Sequence, residues 1–560
     1  VNRLLLLAWP GVTASAASRL IDAGRLPHLS RLVERGAIAD LHPDCAGTEA
    51  MTWATVATGC RADVHGVLGD VRARDPGTGV RWAGSSDWLR PALWQWVDAA
   101  GGHAVTVNWP ATHPTIEQKR GAVVSSAYFY SPIGERHAWL LPTDATWPAA
   151  LRDELRPFRI HPTELTDAEA AALVPTAAEV DQESDPRLAR LLISLAANAG
   201  AHAAATHLTQ TRQPDLLAVQ FDLMVAAKEV AGPSSADTSP YGHTPDAALA
   251  FYDLMLGRYL ATIDDGISVL VVSNGWRGQA GFLIGAGPDV RVPACTTLDV
   301  LPLVLRMMRL APPAIAELAG RIPQGYFRHE PVRSQRLPTV AMSRMDGSAA
   351  AGPPDHLLAA GYTTTEPPSL VRLATRQRAA DLAQLGRVKL TAGDPAAAVE
   401  LAEAGCRLEP SSRMLELAAR AAALSGDRIR AGAVVERLLR LDPRSPVGNL
   451  LQSLLSHSAA GVPSLQGDPR TNEERYHQGV LALIRGQHPS AASLARRPAV
   501  VLVHLAETLV RANDDVRAQQ VLRHALETEP ACAPARAMLD TLLRRSQIRN
   551  ATLPKPTSTC

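Results

Sequence analysis

The sequence predicts two structural classes in series: an α/β domain with a mostly parallel sheet over residues 1–330, then an all-α repeat array over 370–546. Three observations lead there. In the first part, short continuous apolar runs of strand length alternate with stretches of helical spacing. Prolines punctuate residues 331–369, which read as a linker. Beyond 370 the apolar pattern is helical throughout and recurs with a fixed period.

The strands come first. Arg3-Leu4-Leu5-Leu6-Leu7-Ala8-Trp9 is apolar on both faces, as a strand covered on both sides must be, and Pro10-Gly11 breaks it. Residues 14–35 follow with apolar residues at helical spacing, split by Gly24-Arg25-Leu26-Pro27 into two helices. His103 to Asn108, Leu216 to Phe221 and Ile267 to Val272 supply three further strands. In an open parallel sheet, ligands sit beyond the carboxyl ends of the strands. Those ends are Pro10, Asn108, Asp222 and Asn274.

The repeats are read from their punctuation. Gly393-Asp394 precedes Glu409-Pro410, Gly426-Asp427 precedes Asp442-Pro443, and Asn513-Asp514 precedes Glu529-Pro530. In each case the proline lies 17 residues after the first residue of the turn, and the first two units are 33 residues apart. A turn, an alanine-rich helix and a helix-stopping proline at that period are the pattern of tetratricopeptide repeats, which stack into a solenoid with a concave surface open to a protein or peptide. Residues 456–470 interrupt the period, and 547–560 read as a flexible tail.

Composition limits the partners. The chain has 560 residues, 46% apolar and 20% charged, with 56 Lys+Arg against 55 Asp+Glu. A net charge of +1 gives no field to draw nucleic acid or an acidic membrane. The apolar run Leu4 to Trp9 is too short for a secretion signal or a membrane span, which leads us to expect a cytoplasmic protein with no membrane partner. Six scattered cysteines without a CxxC pair fit a reducing compartment.

Several stretches of the first 330 residues, taken in order, resemble the alkaline phosphatase superfamily, nearest to its type I phosphodiesterase/nucleotide pyrophosphatase branch in the form fused to tetratricopeptide repeats. They are Ala23 to Leu32, Trp53 to Gly59 with His65-Gly66, Asn108 to Pro114, Gly281 to Pro288 and Thr297 to Pro302. The resemblance implies a three-layer α/β/α fold and two metal ions, usually zinc, that clamp phosphoryl oxygens and activate a Ser or Thr nucleophile. Carried over position by position, the implied site is degenerate. The first metal ligand falls on Pro10 and the nucleophile on Glu49, with Thr48 beside it the one candidate hydroxyl. Further ligands fall on Val225 and Glu229, on Asn274 and Gly275, and on Arg277. No histidine lies between His243 and His329, where the resemblance requires two.

The expectation is therefore a catalytically inactive relative that holds no zinc, a binding or scaffold protein or the regulatory subunit of an active enzyme. The alternative is an enzyme with a remodelled, metal-poor site. Glu49, Arg277 and Asn108 are the candidate binding residues of the emptied pocket. Glu49 and Arg277 form either a new anion or ligand site or an ion pair that fills vacated space. His65 reads as a turn or core histidine. His42, Asp44 and Cys45 are close enough in sequence to be weighed as metal ligands. Trp82, Trp88, Trp94, Trp96 and Trp109 read as core.

Overall fold

In this computed structural model the described residues are 2–322 without 75–78, 132–138, 142, 182–183, 233–238, 265, 277–278, 288–294 and 312–317, then 367–456 without 426, then 503, 506, 510, 515–528 and 535–543. The chain divides into two compact units, Val1–Gln377 and Arg378–Cys560.

The first unit contains strands β1 (Leu4–Ala8), β2 (Ala37–His42), β3 (Val71–Ala73), β4 (Val80–Trp82), β5 (Ala104–Val107), β6 (Ala122–Val124), β7 (Thr146–Trp147), β8 (Leu216–Gln220), β9 (Ser268–Ser273), β10 (Gly281–Ala286) and β11 (Cys295–Thr296). Its helices are α1 (Ala14–Asp22), α2 (Pro27–Arg35), α3 (Glu49–Thr58), α4 (Ala62–His65), α5 (Leu93–Ala99), α6 (Leu151–Glu154), α7 (Asp167–Leu173), α8 (Arg187–Arg212), α9 (Leu223–Ala231), α10 (Thr244–Thr262) and α11 (Val300–Met307). Among the described residues, nine strands form one sheet in the order β11-β2-β10-β9-β1-β8-β5-β6-β7, and β3 pairs with β4 alone. From β9 to β6 every neighbouring pair is parallel. β10 runs antiparallel to both β9 and β2, and β7 runs antiparallel to β6, so the sheet is mixed.

Alternation along β1 explains the layers. Leu5 and Leu7 enter a core with residues of α1, α2, α8, α9 and α10. Leu4, Leu6 and Ala8 enter a second core with residues of α3, α5 and α11. Successive side chains of a strand point to opposite faces, so a strand buried on both must be apolar at every position. α8 is long and apolar enough to cross a membrane by length and composition, yet 67% of its most apolar stretch is buried within the protein. It lies in the first core, as its Leu188, Leu191, Leu195, Ala201 and Leu208 show.

The tryptophans divide. Trp88, Trp94, Trp96 and Trp109 are buried, with Trp94 edge-on to both Trp88 and Trp109. Trp82 is 39% exposed, against its expected core position. It sits on the small β3–β4 pair, outside the main sheet, where a single neighbouring strand cannot enclose an indole.

The second unit is helical in its described residues. Helices Pro395–Leu408, Ser412–Ser425, Arg428–Leu441 and Pro446–Ser456 follow one another, and Asp515–Thr528 lies further on. The helix before them, Pro367–Thr391, begins inside the stretch read as linker: Pro367 and Pro368 open a helix, where a missing N–H is tolerated. Pro395–Leu408 and Arg428–Leu441 have equal lengths and start 33 residues apart. Their Gly-Asp punctuation has a local cause. Asp394 and Asp427 are N-caps whose carboxylates accept from Ala397 N at 3.1 Å and Arg430 N at 2.9 Å. Small residues line the contacts between helices, with Ala398, Ala402, Ala418, Ala422 and Ala431 all fully buried. The third punctuated turn, Asn513-Asp514 with Glu529-Pro530, lies outside the described residues.

Candidate functional site

Parallel register brings four strand ends to one edge: Ala8 of β1 lies opposite Gln220 of β8 and Val272 of β9, and Val107 of β5 opposite Val219. Beyond these ends stand Pro10-Gly11, Asp222, Asn274 and Asn108. α3 delivers Glu49 from its first position to the same place.

Glu49 and Asn274 meet there. Asn274 Nδ2 donates to both Glu49 oxygens, at 3.2 and 3.0 Å, and Asn274 Oδ1 accepts from Gly11 N at 3.0 Å. One turn along α3, Trp53 Nε1 donates to Glu49 Oε2 at 2.8 Å. Behind it Trp109 Nε1 donates to Trp53 O at 3.3 Å, and the two indoles pack edge-to-face. Burial pushes the Glu49 carboxyl up to about 7. The donors Asn274 and Trp53 oppose that rise, and the charges of Asp70 and Asp222 add to it.

Thr48 is the N-cap of α3, and its side chain hydrogen-bonds Asp70. Asp70 also accepts from Ala50 N at 2.8 Å, so this carboxylate closes the first turn of α3. Burial raises Asp70 above the usual carboxylate range.

The ligand positions implied by the resemblance are filled in ways that have physical causes. Pro10 is buried and has no donor atom. Gly11, at φ +79°, is covered by apolar atoms: a Cβ there would stand 3.3 Å from Met224 Cγ, 3.5 Å from Val225 Cγ2 and 3.6 Å from Trp276 Cε3. Gly275 turns the chain from β9 toward β10 at φ +74°, and a Cβ on it would lie 2.0 Å from Gln279 O and 2.5 Å from Gly281 N. No side chain of any kind fits there. Glu229, on α9, is exposed. Arg277 lies outside the described residues, and the partners seen for Glu49 are neutral donors. Among the described residues no three His, Cys, Asp or Glu side chains gather as a metal ion requires, so this donor set does not fit a two-metal centre.

The sequence reading named Asp222 as a strand end but not as a site residue. Its Oδ1 accepts from Asn198 Nδ2 at 2.8 Å and from the Tyr130 hydroxyl. Burial raises it above the ordinary carboxylate range, against the pull of those donors. Tyr130 and Asn198 come from a loop after β6 and from α8, and no local pattern tied either to a strand end more than twenty residues away. Lys228 was missed too. Its ammonium lies 5.4 Å from the Trp276 ring centroid, and burial pushes it down to about 8.

Asn108 takes φ +60°, and its Nδ2 donates to Gln220 O at 3.0 Å, tying the end of β5 to the end of β8. Its Oδ1 is enclosed without a partner. His65 is a core histidine. Its Nδ1 accepts from Val67 N at 3.2 Å, its Nε2 lies 3.0 Å from Thr55 Oγ1, and burial pushes it down to about 3. Nearby in sequence, His42 is exposed, while Asp44 lies 3.8 Å from Arg61 and holds its own backbone on Thr297. Asp44 and Cys45 thus do not form a metal group with His42.

Residues 4–275, just under half of the chain, match the family model of type I phosphodiesterase / nucleotide pyrophosphatase. No curated protein matches. Among solved structures, the chain is similar to phosphonoacetate hydrolase from Sinorhizobium meliloti, at 19% identity over 49% of this chain and 56% of that one, with a TM-score of 0.30. It is also similar to murine ectonucleotide pyrophosphatase/phosphodiesterase 5, at 10% identity over 55% and 96% with a TM-score of 0.34. A putative sulfatase from Bacteroides thetaiotaomicron matches at 12% identity over 57% and 73%, with a TM-score of 0.36. The chain thus spans 56% of the length of the hydrolase.

Proposed function

We propose that this chain is a phosphodiesterase-like protein without hydrolytic activity, a binding or regulatory component whose helical repeats engage a protein or peptide. The observation that supports it best is Gly275. The turn out of β9 leaves no room for a side chain at a position where the resemblance requires a histidine ligand. Pro10 and Val225 offer no donor, and Glu49 stands in place of a hydroxyl, held by Asn274 and Trp53. On this reading the protein is cytoplasmic, carries no zinc and works through partners, among them an active enzyme. The repeated 14-residue helices, with caps at matching positions, support a tetratricopeptide solenoid as the partner surface.

A second reading is favoured by Thr48, whose hydroxyl bonds a buried carboxylate, Asp70, at the N-terminus of α3. A hydroxyl with a base beside it is a latent nucleophile. One assay separates the two readings. Full-length protein supplied with zinc is given bis(4-nitrophenyl) phosphate, and hydrolysis no faster than the zinc buffer alone is expected. Turnover that Thr48→Ala abolishes would establish the remodelled enzyme instead.

A further inference from the structure

We propose that the segment Leu370 to Gln377, near the start of the helix Pro367–Thr391, is a regulatory strap: it clamps the β3–β4 hairpin and, through Asp70 at the hairpin's base, holds the first turn of α3 and Glu49 in place. This goes beyond the function proposed above and stands whether the strand-end site is inert or hydrolytic.

The hairpin needs a cover, because two strands alone are marginally stable in water. Its residues divide by face, since side chains alternate along a strand and directly opposed residues share a face. Arg72 and Arg81 lie opposite each other. Asp87 closes that face: it accepts from Arg81 in two bonds of 2.7 Å and lies 3.6 Å from Arg72. Val71, Ala73, Val80 and Trp82 share the other face. Val71 and Val80 are buried, yet neither belongs to the two cores on the faces of the main sheet.

The strap supplies the cover. Leu370 O accepts from Gly79 N at 3.1 Å, and Gln377 Nε2 donates to Val71 O at 2.9 Å. Leu370 Cδ2 reaches the turn as well, 3.6 Å from where a Cβ on Gly79 would stand. Residues seven apart lie on one face of a helix, so the stripe between these two, Leu373 and Ala374, turns the same way. Ala374 is 1% exposed, whereas Arg372 and Arg376, off that stripe, are exposed.

The hairpin in turn holds the site. Asp70 is the residue before β3, and its backbone oxygen accepts from Ala83 N at 2.8 Å, which closes the base of the hairpin. Its carboxylate accepts from Ala50 N at 2.8 Å and bonds the Thr48 side chain, so it grips α3 on both sides of Glu49. The route from strap to site is short: Gln377 to Val71 by a hydrogen bond, Val71 to Asp70 along the chain, Asp70 to the first turn of α3. The helix itself runs on to Thr391, beyond the end of the first unit at Gln377. A pull on that helix is therefore delivered to the hairpin at two hydrogen bonds.

The test is hydrogen–deuterium exchange of the full chain, read by mass spectrometry, in the parent and in Gln377→Ala, which removes the donor and keeps a strong helix former. Exchange should be about three- to tenfold faster in Val71–Ala73, Val80–Trp82 and Thr48–Thr52, and unchanged in β8. Arg372→Ala, on the exposed side of the same helix, should leave all of these segments alone. In Gln377→Ala the Glu49 carboxyl, which the charges of Asp70 and Asp222 help to raise, should also titrate lower as Asp70 draws away, followed by NMR of the carboxyl carbon. Leu370→Ala is read in the same segments if Gln377→Ala does not fold. An unchanged hairpin, a faster hairpin with α3 and Glu49 unchanged, an equal rise in β8, or the same rise in Arg372→Ala would each overturn the proposal.

Discussion

The two sides of the sheet's carboxyl edge bury a carboxylate in different ways. On the β1–β9 side, Glu49 comes from a helix and is held by the side chains of Asn274 and Trp53, in a place where the backbone itself has closed down. Pro10 and Gly275 fix the two strand ends, and Met224, Val225 and Trp276 cover the turn between them. On the β8 side, Asp222 belongs to the strand end itself and is held by Tyr130 and Asn198. The difference teaches how backbone turns and side chains each enclose a carboxylate at one sheet edge. On the first side Gly275 leaves no room for a side chain, because its turn closes on Gln279 O. On the second side the carboxylate is buried and held by the side chains of Tyr130 and Asn198.

The largest effect should come from the backbone of the first side. Gly275→Ala places a Cβ on a positive φ and into Gln279 O, so it should cost about 3 kcal/mol or more in urea unfolding. A loss under about 0.5 kcal/mol would mean that the turn relaxes freely and that a ligand could once again be carried there.

The next effect belongs to the second side. Tyr130→Phe removes a donor from the buried Asp222 carboxylate and should cost about 2 kcal/mol. It should also push the Asp222 carboxyl further up, a change that NMR of the carboxyl carbon would follow. A Tyr130→Phe protein as stable as the parent would show that Asp222 is solvated rather than held.

A pH-dependent effect, absent at low pH, returns to Glu49. Its carboxyl is raised from an ordinary 4.5 to about 7 in the fold. A raised value means that its contribution is fully present below pH 4.5 and is lost as pH rises through 7. Relative to Glu49→Gln, the parent should therefore lose about 3 kcal/mol of stability between pH 4.5 and 8. Parallel stability curves for the two proteins over that range would show that Glu49 ionises as an exposed carboxylate does.

The sequence was most legible where the physics is local. Uninterrupted apolar runs disclosed the four central strands because a strand covered on both faces has no polar position to spare. Pro10, Asn108, Asp222 and Asn274 could be placed at strand ends for the same reason. The Gly-Asp turns of the repeats were readable because an N-cap acts within three residues. What stayed hidden depends on long-range packing. Nothing near Tyr130 or Asn198 in sequence signals Asp222, and Trp82 carries the composition of a core residue without the second sheet face to bury it. Gly275 was legible as a missing donor, but only the backbone turn shows that no donor could stand there.

The most direct test of the central claim is elemental analysis of full-length protein purified without chelator and dialysed against micromolar zinc. Zinc well below one ion per chain is expected, unchanged in Glu49→Gln and Asp222→Asn. Two tightly held zinc ions per chain, lost in either variant, would contradict it.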